Sequence, residues 1–325
     1  MIVTVTPNPS IDRTVTLTAP LTRGVVHRVS SVSNEAGGKG VNVARALTLA
    51  GVDSVALLPA PESDPLIAAL HASAMPFQCV PSTEAVRTNL AITEHDGTTT
   101  KLNEPGATLD PAVVDALTRA VIANAERASW VVLSGSLPPG MPDGWYADVV
   151  ARLAPYPCRV AVDTSDGPLS ALVESFGRAA PDLIKPNAEE LAGVLGYSPQ
   201  ALEAAVGQGD PEPVVSAARE LVDRGARAVL ATLGAAGAVL VDETGSWMAT
   251  PGPIVPCSTV GAGDASLAGY LRAEVGGNVP PQRLQMAVAY GSAAASLPGS
   301  ALPTPAQIDL DSVRVITISP TPATS

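Results

Sequence analysis

Short apolar segments alternate along the chain with longer segments in which apolar residues recur at helical spacing, such as 40–51 and 143–154. Strands buried on both faces read as continuous apolar runs, so this alternation predicts a mostly parallel sheet with helices on both faces. Ligands of such sheets bind beyond the carboxyl ends of the strands. The predicted strands are 2–6, 54–59, 129–135, 159–165, 182–187 and 226–234.

Two segments break the alternation and predict strands outside the main sheet. Residues 13–33 are rich in Thr, Val and Ser without a helical period, and residues 86–103 read as a hairpin that turns at "DGT". Together they could form a small β-sheet lid that is discontinuous in sequence, or they could be two edge hairpins. With a lid, the large α/β domain comprises 1–12, 34–85 and 104–318, and 319–325 is expected to be a disordered tail.

Composition narrows the class of protein. The 325 residues suffice for one large α/β domain with an added subdomain, and with 46% apolar but only 3% aromatic residues the core must use Ala, Val, Leu and Ile. A net charge of −12 argues against a nucleic-acid partner. Three widely spaced cysteines indicate reduced thiols in a cytoplasmic protein. No signal-peptide pattern and no run of about 18 apolar residues is present, so no membrane partner is expected.

A first glycine-rich turn precedes a helical segment in "AGGKGVNVARAL", residues 36–47. Its glycines permit close approach of a ligand, the following free N–H groups would face that ligand, and Lys39 adds positive charge. The spacing matches neither a Walker A loop nor a dinucleotide fingerprint. The segment therefore indicates a different kind of polar ligand site.

A second glycine-rich turn lies in "STVGAGDASLAGYL", residues 258–271. Gly261 and Gly263 let successive amides point into one concavity, which suits a phosphoryl group during transfer. Asp264 can then take the proton of an attacking hydroxyl as a general base. The alternative is an acidic residue that stabilises the first turn of its helix.

Further polar residues have both a binding and a local structural interpretation. Asp12, after the first strand in "TPNPSID", could bind sugar hydroxyls or cap its own turn. Arg87 and Asn89 share one side of a strand, where Arg could bind phosphate or be a solvated charge. Lys101, in the facing arm of that hairpin, is a second candidate cation.

The segment "LIKPNAEEL" (183–191) places Lys185 at a strand end, ahead of a predicted helix. Asn187 and Glu190 have the spacing of a capping box, and they could alternatively contact Mg²⁺ through water. The segment "ATLGAAGAVLV" (231–241) is a strand, a Gly turn and a strand, which could border a nucleotide or be a simple hairpin.

Taken in their order along the chain, these segments resemble the motifs of the ribokinase-like carbohydrate kinases, also called the PfkB family. "GGKGVNVARAL" is similar to the N-terminal signature, "STVGAGDASLAGYL" to the C-terminal signature, and "KPNAEEL" to the magnesium-linked Asn-x-x-Glu motif. "TPNPSID", "SGSLPPG" and "NEPG" resemble the phosphosugar branch. The resemblance spans about residues 2 to 300. It implies a three-layer α/β/α ribokinase-like fold with a mostly parallel central sheet and a small β-sheet lid, through which a homodimer often forms.

The resemblance also implies the reaction. It implies ATP-dependent phosphorylation of a phosphorylated ketohexose with Mg²⁺, namely fructose 1-phosphate to fructose 1,6-bisphosphate. Tagatose-6-phosphate kinase and a minor 6-phosphofructokinase share these motifs and stay alternatives. A non-catalytic sugar-phosphate sensor is an alternative of a different class. A dinucleotide-dependent oxidoreductase is disfavoured by the missing fingerprint.

Residue roles follow from the resemblance motif by motif. Asp264 is implied to be the base, and the amides of Gly261, Ala262 and Gly263 the anion hole. The residues implied to contact the sugar phosphate are Asp12, Gly38, Lys39, Asn42, Arg87 and Asn89. Those implied to lie near the nucleotide phosphates and Mg²⁺ are Lys185, Asn187 and Glu190, with the last two contacting the metal through water. Those implied to line the nucleotide pocket are Thr232, Gly234, Gly237 and Gly263.

Two positions depart from the family pattern. Ser258 stands where the C-terminal signature often begins with Asp, which leaves the implied base intact. Ala91 stands where the lid strand often has Lys, so one phosphate-binding cation is missing or replaced. Lys101 is the candidate replacement.

Overall fold

The computed structural model describes residues 1–320, in which strands and helices alternate along most of the chain. The strands are β1 Ile2–Val5, β2 Ser10–Leu17, β3 Val29–Gly37, β4 Ser54–Ala60, β5 Phe77–Pro81, β6 Arg87–Thr93, β7 Thr99–Asn103, β8 Trp130–Ser134, β9 Arg159–Asp163, β10 Leu183–Ile184, β11 Ala228–Thr232, β12 Ala238–Asp242, β13 Gly245–Thr250 and β14 Arg314–Pro320. The helices are α1 Lys39–Leu49, α2 Pro65–Ala72, α3 Pro111–Ala125, α4 Trp145–Leu153, α5 Asp166–Glu174, α6 Ala188–Leu195, α7 Pro199–Gly207, α8 Glu212–Asp223, α9 Ala262–Val275 and α10 Pro280–Ala295.

Within the described residues, the larger sheet has ten strands in the order β14-β13-β12-β11-β10-β9-β8-β1-β4-β5. The strands from β11 to β5 in this order pair in parallel, whereas β12, β13 and β14 extend the sheet by antiparallel pairs. Parallel strands point their carboxyl ends to one edge, and the site forms at that edge.

Helices cover both faces of the larger sheet. Because successive side chains of a strand point to opposite faces, Val3 and Val5 of β1 pack in the core under α3 to α8, whereas Ile2 packs in the core under α1, α9 and α10. Leu58 of β4 packs against α2 on that second face. The predicted three-layer α/β/α arrangement with a mostly parallel sheet is confirmed.

The four strands β3-β2-β6-β7 form a separate smaller sheet. It unites the two segments that interrupted the alternation, through parallel pairing of β2 with β6. The strands extend beyond the predicted 13–33, from Ser10 in β2 to Gly37 in β3. Since α1 begins two residues after Gly37, the smaller sheet is joined directly to a helix of the site.

The end of the chain differs from the expected tail at its first two residues. Ser319 and Pro320 belong to β14, where they pair with Ser246 and Gly245 of β13. The partner strand supplies backbone hydrogen-bond partners that composition alone does not reveal. Residues 321–325 lie outside the described residues. Among the helices that are described, none combines the length and the apolar character needed to cross a membrane.

Candidate active site

Two cavities adjoin at the carboxyl edge of the larger sheet, and most predicted site residues line one or the other. The first, of about 410 Å³, lies between the smaller sheet and the starts of α1 and α9. The second, of about 560 Å³, lies between the β11–β12 turn and α9 and α10. Both are lined by Thr259 and Gly263, which therefore mark their junction.

Most of the predicted residues line one of the two cavities, and Gly263 lines both. Those lining the first are Asp12, Gly38, Lys39, Asn42, Arg87, Asn89, Lys101, Gly261, Gly263 and Asp264. Those lining the second are Asn187, Thr232, Gly234, Gly237, Ala262 and Gly263. Of the described residues predicted for the site, Lys185 and Glu190 lie outside both linings.

Helices α1 and α9 begin at these cavities on glycines. Gly38 precedes α1 with φ of 109° and Gly261 precedes α9 with φ of 75°, so both take a backbone conformation that other residues rarely adopt. A glycine has no side chain that could accept from the first-turn amides. The Ala262 amide of α9 donates to the Thr259 carbonyl oxygen at a long 3.4 Å, and no side chain caps the remaining first-turn amides, which can bind an anionic ligand at the cavity surface.

Asp264 is 6% exposed in the first turn of α9. Burial raises its pKa, although the nearby Lys39 ammonium and a hydrogen bond from Asn42 oppose that shift. Asn42 Nδ2 donates to Asp264 Oδ2 at 2.8 Å. A carboxyl group with a raised pKa in a cavity is suited to take up a proton.

Asp163, at the carboxyl end of β9, is a residue of the candidate site that the sequence reasoning missed. It is fully buried, with Oδ1 3.0 Å from Lys39 Nζ and Oδ2 3.2 Å from Lys185 Nζ. Burial opposes its ionisation, but the charges of Lys185 and Lys39 outweigh burial and lower the pKa of Asp163. The sequence did contain a signal, namely an acidic residue at the end of a predicted buried strand. A buried charge requires a partner, so such a residue predicts a nearby cation.

The smaller sheet presents a connected polar group to the first cavity. Asn89 Nδ2 donates to Ser10 Oγ and to Asp12 Oδ1, both at 3.0 Å. Arg87 donates to the carbonyl oxygens of Asn8 and Glu104, both at 3.2 Å. Arg87 is thus held at the base of its strand, contrary to the interpretation as a solvated charge.

Lys101 lies directly opposite Ala91 in the antiparallel pair of β7 with β6. Directly opposed residues of such a pair point to the same face of the sheet. By the same alternation, Ala91 shares its face with Arg87 and Asn89. Lys101 therefore projects from the face that carries these side chains, and it lines the first cavity with them.

Asn187 and Glu190 form the predicted capping box at the start of α6. Asn187 Oδ1 accepts from the Glu190 amide and Glu190 Oε2 accepts from the Asn187 amide, each at 2.8 Å. Burial raises the pKa of Glu190. Among the described residues, no group of three or more His, Cys, Asp and Glu side chains is arranged to hold a metal.

The second cavity has a wall that the sequence reasoning did not identify. The Pro-rich segment after β13 lines it through Pro251, Pro253, Ile254 and Pro256, together with the predicted Gly234 of the β11–β12 turn. This wall is mostly apolar and suits a flat aromatic group beside polar positions. A Pro-rich connection gave no sequence signal beyond a loop.

Comparison with known proteins identifies the family. Residues 5–307 match the family described as pfkB family carbohydrate kinase. The 1-phosphofructokinase of Xanthomonas campestris pv. campestris is 35% identical over 274 residues, 83% of each chain. That of Rhodobacter capsulatus is 36% identical over 311 residues, 94% of each chain.

A solved structure shows the same architecture. Phosphofructokinase-2 from Escherichia coli, in complex with substrates and products, has a TM-score of 0.85 at 29% identity over 94% of this chain and 96% of that chain. The chain belongs to the pfkB family of carbohydrate kinases, and it is a phosphotransferase. The predicted family and ribokinase-like fold are confirmed.

Removal of the Asp163 carboxylate tests the buried ion pairs. Asp163→Ala leaves Lys185, 4% exposed, buried without its partner. We expect the free energy of unfolding to fall by about 3–5 kcal/mol, measured by urea denaturation. Asp163→Ala combined with Lys185→Met should recover most of the loss, because the lysine that is then left without Asp163 is Lys39, whose side chain is 37% exposed rather than buried.

An exposed ion pair provides the control. Asp148 and Arg178 are each 56% exposed, so Asp148→Ala should change the free energy of unfolding by less than about 1 kcal/mol. Equal losses for Asp163→Ala and Asp148→Ala would contradict the assigned importance of the buried pairs.

Proposed function

We propose that the protein transfers the γ-phosphoryl group of ATP to a hydroxyl of fructose 1-phosphate, giving fructose 1,6-bisphosphate and ADP. One observation carries this proposal: the first cavity combines the buried Asp264 carboxyl group with the cations Arg87 and Lys101 from the smaller sheet. A base and a cationic face suit an acceptor that is already phosphorylated. The relatives named 1-phosphofructokinase support this choice of sugar.

In the proposed reaction, Asp264 accepts the proton of the sugar hydroxyl as that oxygen attacks the γ-phosphorus. A new oxygen–phosphorus bond forms, and the bond to the β-phosphate oxygen breaks with its electron pair leaving on ADP. The amides of Gly261, Ala262 and Gly263 stabilise the charge on the transferred group. Asn42 holds the Asp264 carboxylate toward the cavity.

The second cavity is the proposed ATP site. Its polar positions at Thr232, Gly234 and Gly237 would border the nucleotide, and the shared Gly263 would meet the γ-phosphoryl group. Lys185 Nζ is 3.4 Å from the point that a Cβ atom on Gly263 would occupy. Its charge therefore reaches the junction although its side chain is buried behind the linings.

The residues present fit Mg²⁺ held through water. Asn187 and Glu190 offer an amide and one carboxylate beside the second cavity, and Mg²⁺ keeps several waters and needs only one or two carboxylates besides phosphate oxygens. When bound, the ion neutralises phosphate charge. The capping box holds the carboxylate at a fixed position at the start of α6.

We further propose that the smaller sheet acts as a lid and forms a homodimer interface. Val32 and Leu102, 46% and 56% exposed, lie on its face opposite Asp12 and Lys101. An exposed apolar face of a sheet favours contact with a second chain.

The cysteines Cys79, Cys158 and Cys257 are free, in keeping with a cytoplasmic protein.

A substrate panel tests the proposed sugar. ADP release, followed by a coupled assay, should give the highest kcat/KM with fructose 1-phosphate, ahead of fructose 6-phosphate and tagatose 6-phosphate. A higher kcat/KM for either competitor would reassign the substrate to the corresponding kinase. Binding of all three without ADP release would identify a sugar-phosphate sensor instead.

Asp264→Asn tests the base. It keeps the shape of the side chain but cannot accept the proton, so kcat should fall by about 10²–10⁴-fold while the KM for ATP changes little. Because burial raises the pKa of Asp264 and a base must be ionised, kcat of the unchanged protein should fall on an acid limb above the ordinary Asp value of about 3.9. Near-normal turnover of Asp264→Asn would remove Asp264 from the base role.

Lys101→Ala tests the cationic face. Loss of a charged hydrogen-bond donor to the sugar phosphate should raise the KM for fructose 1-phosphate by about 10-fold or more, with the KM for ATP unchanged. Ala91→Lys added to this variant should recover part of the affinity, because residues 91 and 101 face each other. Arg28→Ala, an exposed cation outside both cavity linings, is the charge-matched control. A similar rise in both KM values would contradict the assignment.

A further inference from the structure

Arg45 lies one helical turn after Asn42 on α1, and its guanidinium contacts three different segments. Nη2 donates to the carbonyl oxygen of Ser300 at 2.8 Å and lies 3.4 Å from Asn42 Oδ1. Nη1 pairs with Glu35 Oε2 at 3.2 Å. The Arg45 side chain is only 15% exposed, so these contacts are largely shielded from water.

The contact with Asn42 fixes which end of the amide faces Asp264. A guanidinium only donates hydrogen bonds, so the amide oxygen of Asn42 must face Arg45. The amide nitrogen then faces away from Arg45 and donates to Asp264 Oδ2 at 2.8 Å. With the amide reversed, its oxygen would face the carboxylate, and both acceptors would lack a donor.

The other two contacts belong to segments that bound the first cavity. Glu35 is on β3 of the smaller sheet, directly opposite Asp12 of β2. Ser300 lies in the loop after α10, whose residues Pro298, Gly299 and Ser300 line the cavity. Ser300 Oγ also donates to Glu35 Oε2 at 2.9 Å, which joins the loop to the sheet.

We propose that Arg45 is a positioning residue, which orients the Asn42 amide toward Asp264 and couples that orientation to the docking of Glu35 and the loop 298–300. The side of the cavity proposed to bind the sugar phosphate and the proposed base Asp264 are thereby positioned together. This inference rests on the proposed function, because it assumes that Asp264 is the base.

The electrostatic surroundings of Asp264 give the inference a specific readout. The charged groups around Asp264 are Lys39 from α1, Asp163 at the end of β9 and Lys185 after β10. Arg45→Met alters none of these three groups. The Asn42 hydrogen bond favours the ionised carboxylate, so its loss should move the acid limb of kcat to higher pH.

The test is the pH dependence of kcat for Arg45→Met. We expect kcat to fall by about 10- to 100-fold and the acid limb to rise by about one pH unit, with the KM for ATP unchanged. Arg45→Lys keeps the charge but not the planar fork, so its kcat and its acid limb should lie between those of the unchanged protein and of Arg45→Met. In an Asn42→Ala background, Arg45→Met should not move the acid limb further.

Controls separate positioning from stability. Arg227→Met breaks an Arg–Asp pair with Asp182 at the amino ends of β10 and β11, at the opposite edge of the sheet from the cavities, and should leave kcat and its pH profile unchanged. Glu35→Gln keeps an acceptor oxygen but removes the charge, so it should shift kcat and the acid limb less than Arg45→Met does. If Arg45→Met fails to fold, the pH dependence of kcat is measured for Glu35→Gln instead, and an unchanged kcat and acid limb would then contradict the positioning role.

Failure of the positioning role and failure of the proposed base would give different results. A lower melting temperature for Arg45→Met with unchanged kcat and acid limb would overturn the positioning role, even where Asp264→Asn is inactive. Near-normal turnover of Asp264→Asn would instead overturn the proposed base, whatever the effect of Arg45→Met.

Discussion

The buried ion pairs of Asp163 are the interaction on which the candidate site depends. Its carboxylate joins Lys39 at the start of α1 to Lys185 after β10, so it connects three segments at the carboxyl edge of the sheet. Two ammonium groups this close would repel each other without an acid between them. The carboxylate places an opposite charge beside the buried Lys185, which is 4% exposed, and holds Lys39, 37% exposed, at the first cavity, where a phosphate group needs cations.

The regular part of the fold was predictable because its signals are local. Apolar runs such as 129–135 and helical segments such as 143–154 contain the observed β8 and α4. The ion pair of Asp163 with Lys39 was not predictable, since 124 residues separate them. A pairing at that separation depends on the strand order, and strand order is set by the packing of the whole sheet.

The candidate site was predictable by residue type more than by contact. Asn42 and Arg87 were expected to touch a substrate, yet in this structure they contact Asp264 and the carbonyl oxygens of residues 8 and 104. Asn187 and Glu190 make the capping contacts that local spacing alone explains. A motif therefore located these groups at the cavities, but only the tertiary arrangement shows which of them orient others.

The glycines around Lys39 show how packing and binding share one motif. A Cβ atom on Gly37 would lie 2.3 Å from the Asp12 carboxyl group, and one on Gly40 would lie 2.4 Å from Thr6 Oγ1. Gly40 lets α1 approach the end of β1 closely, and Gly37 leaves room for the Asp12 side chain of the neighbouring strand β2, so both glycines meet a packing requirement. Gly38, with its positive φ, turns the chain from β3 into α1 and places Lys39 in the first turn of that helix. The close packing of its neighbours is therefore what brings Lys39 within reach of Asp163 and the first cavity.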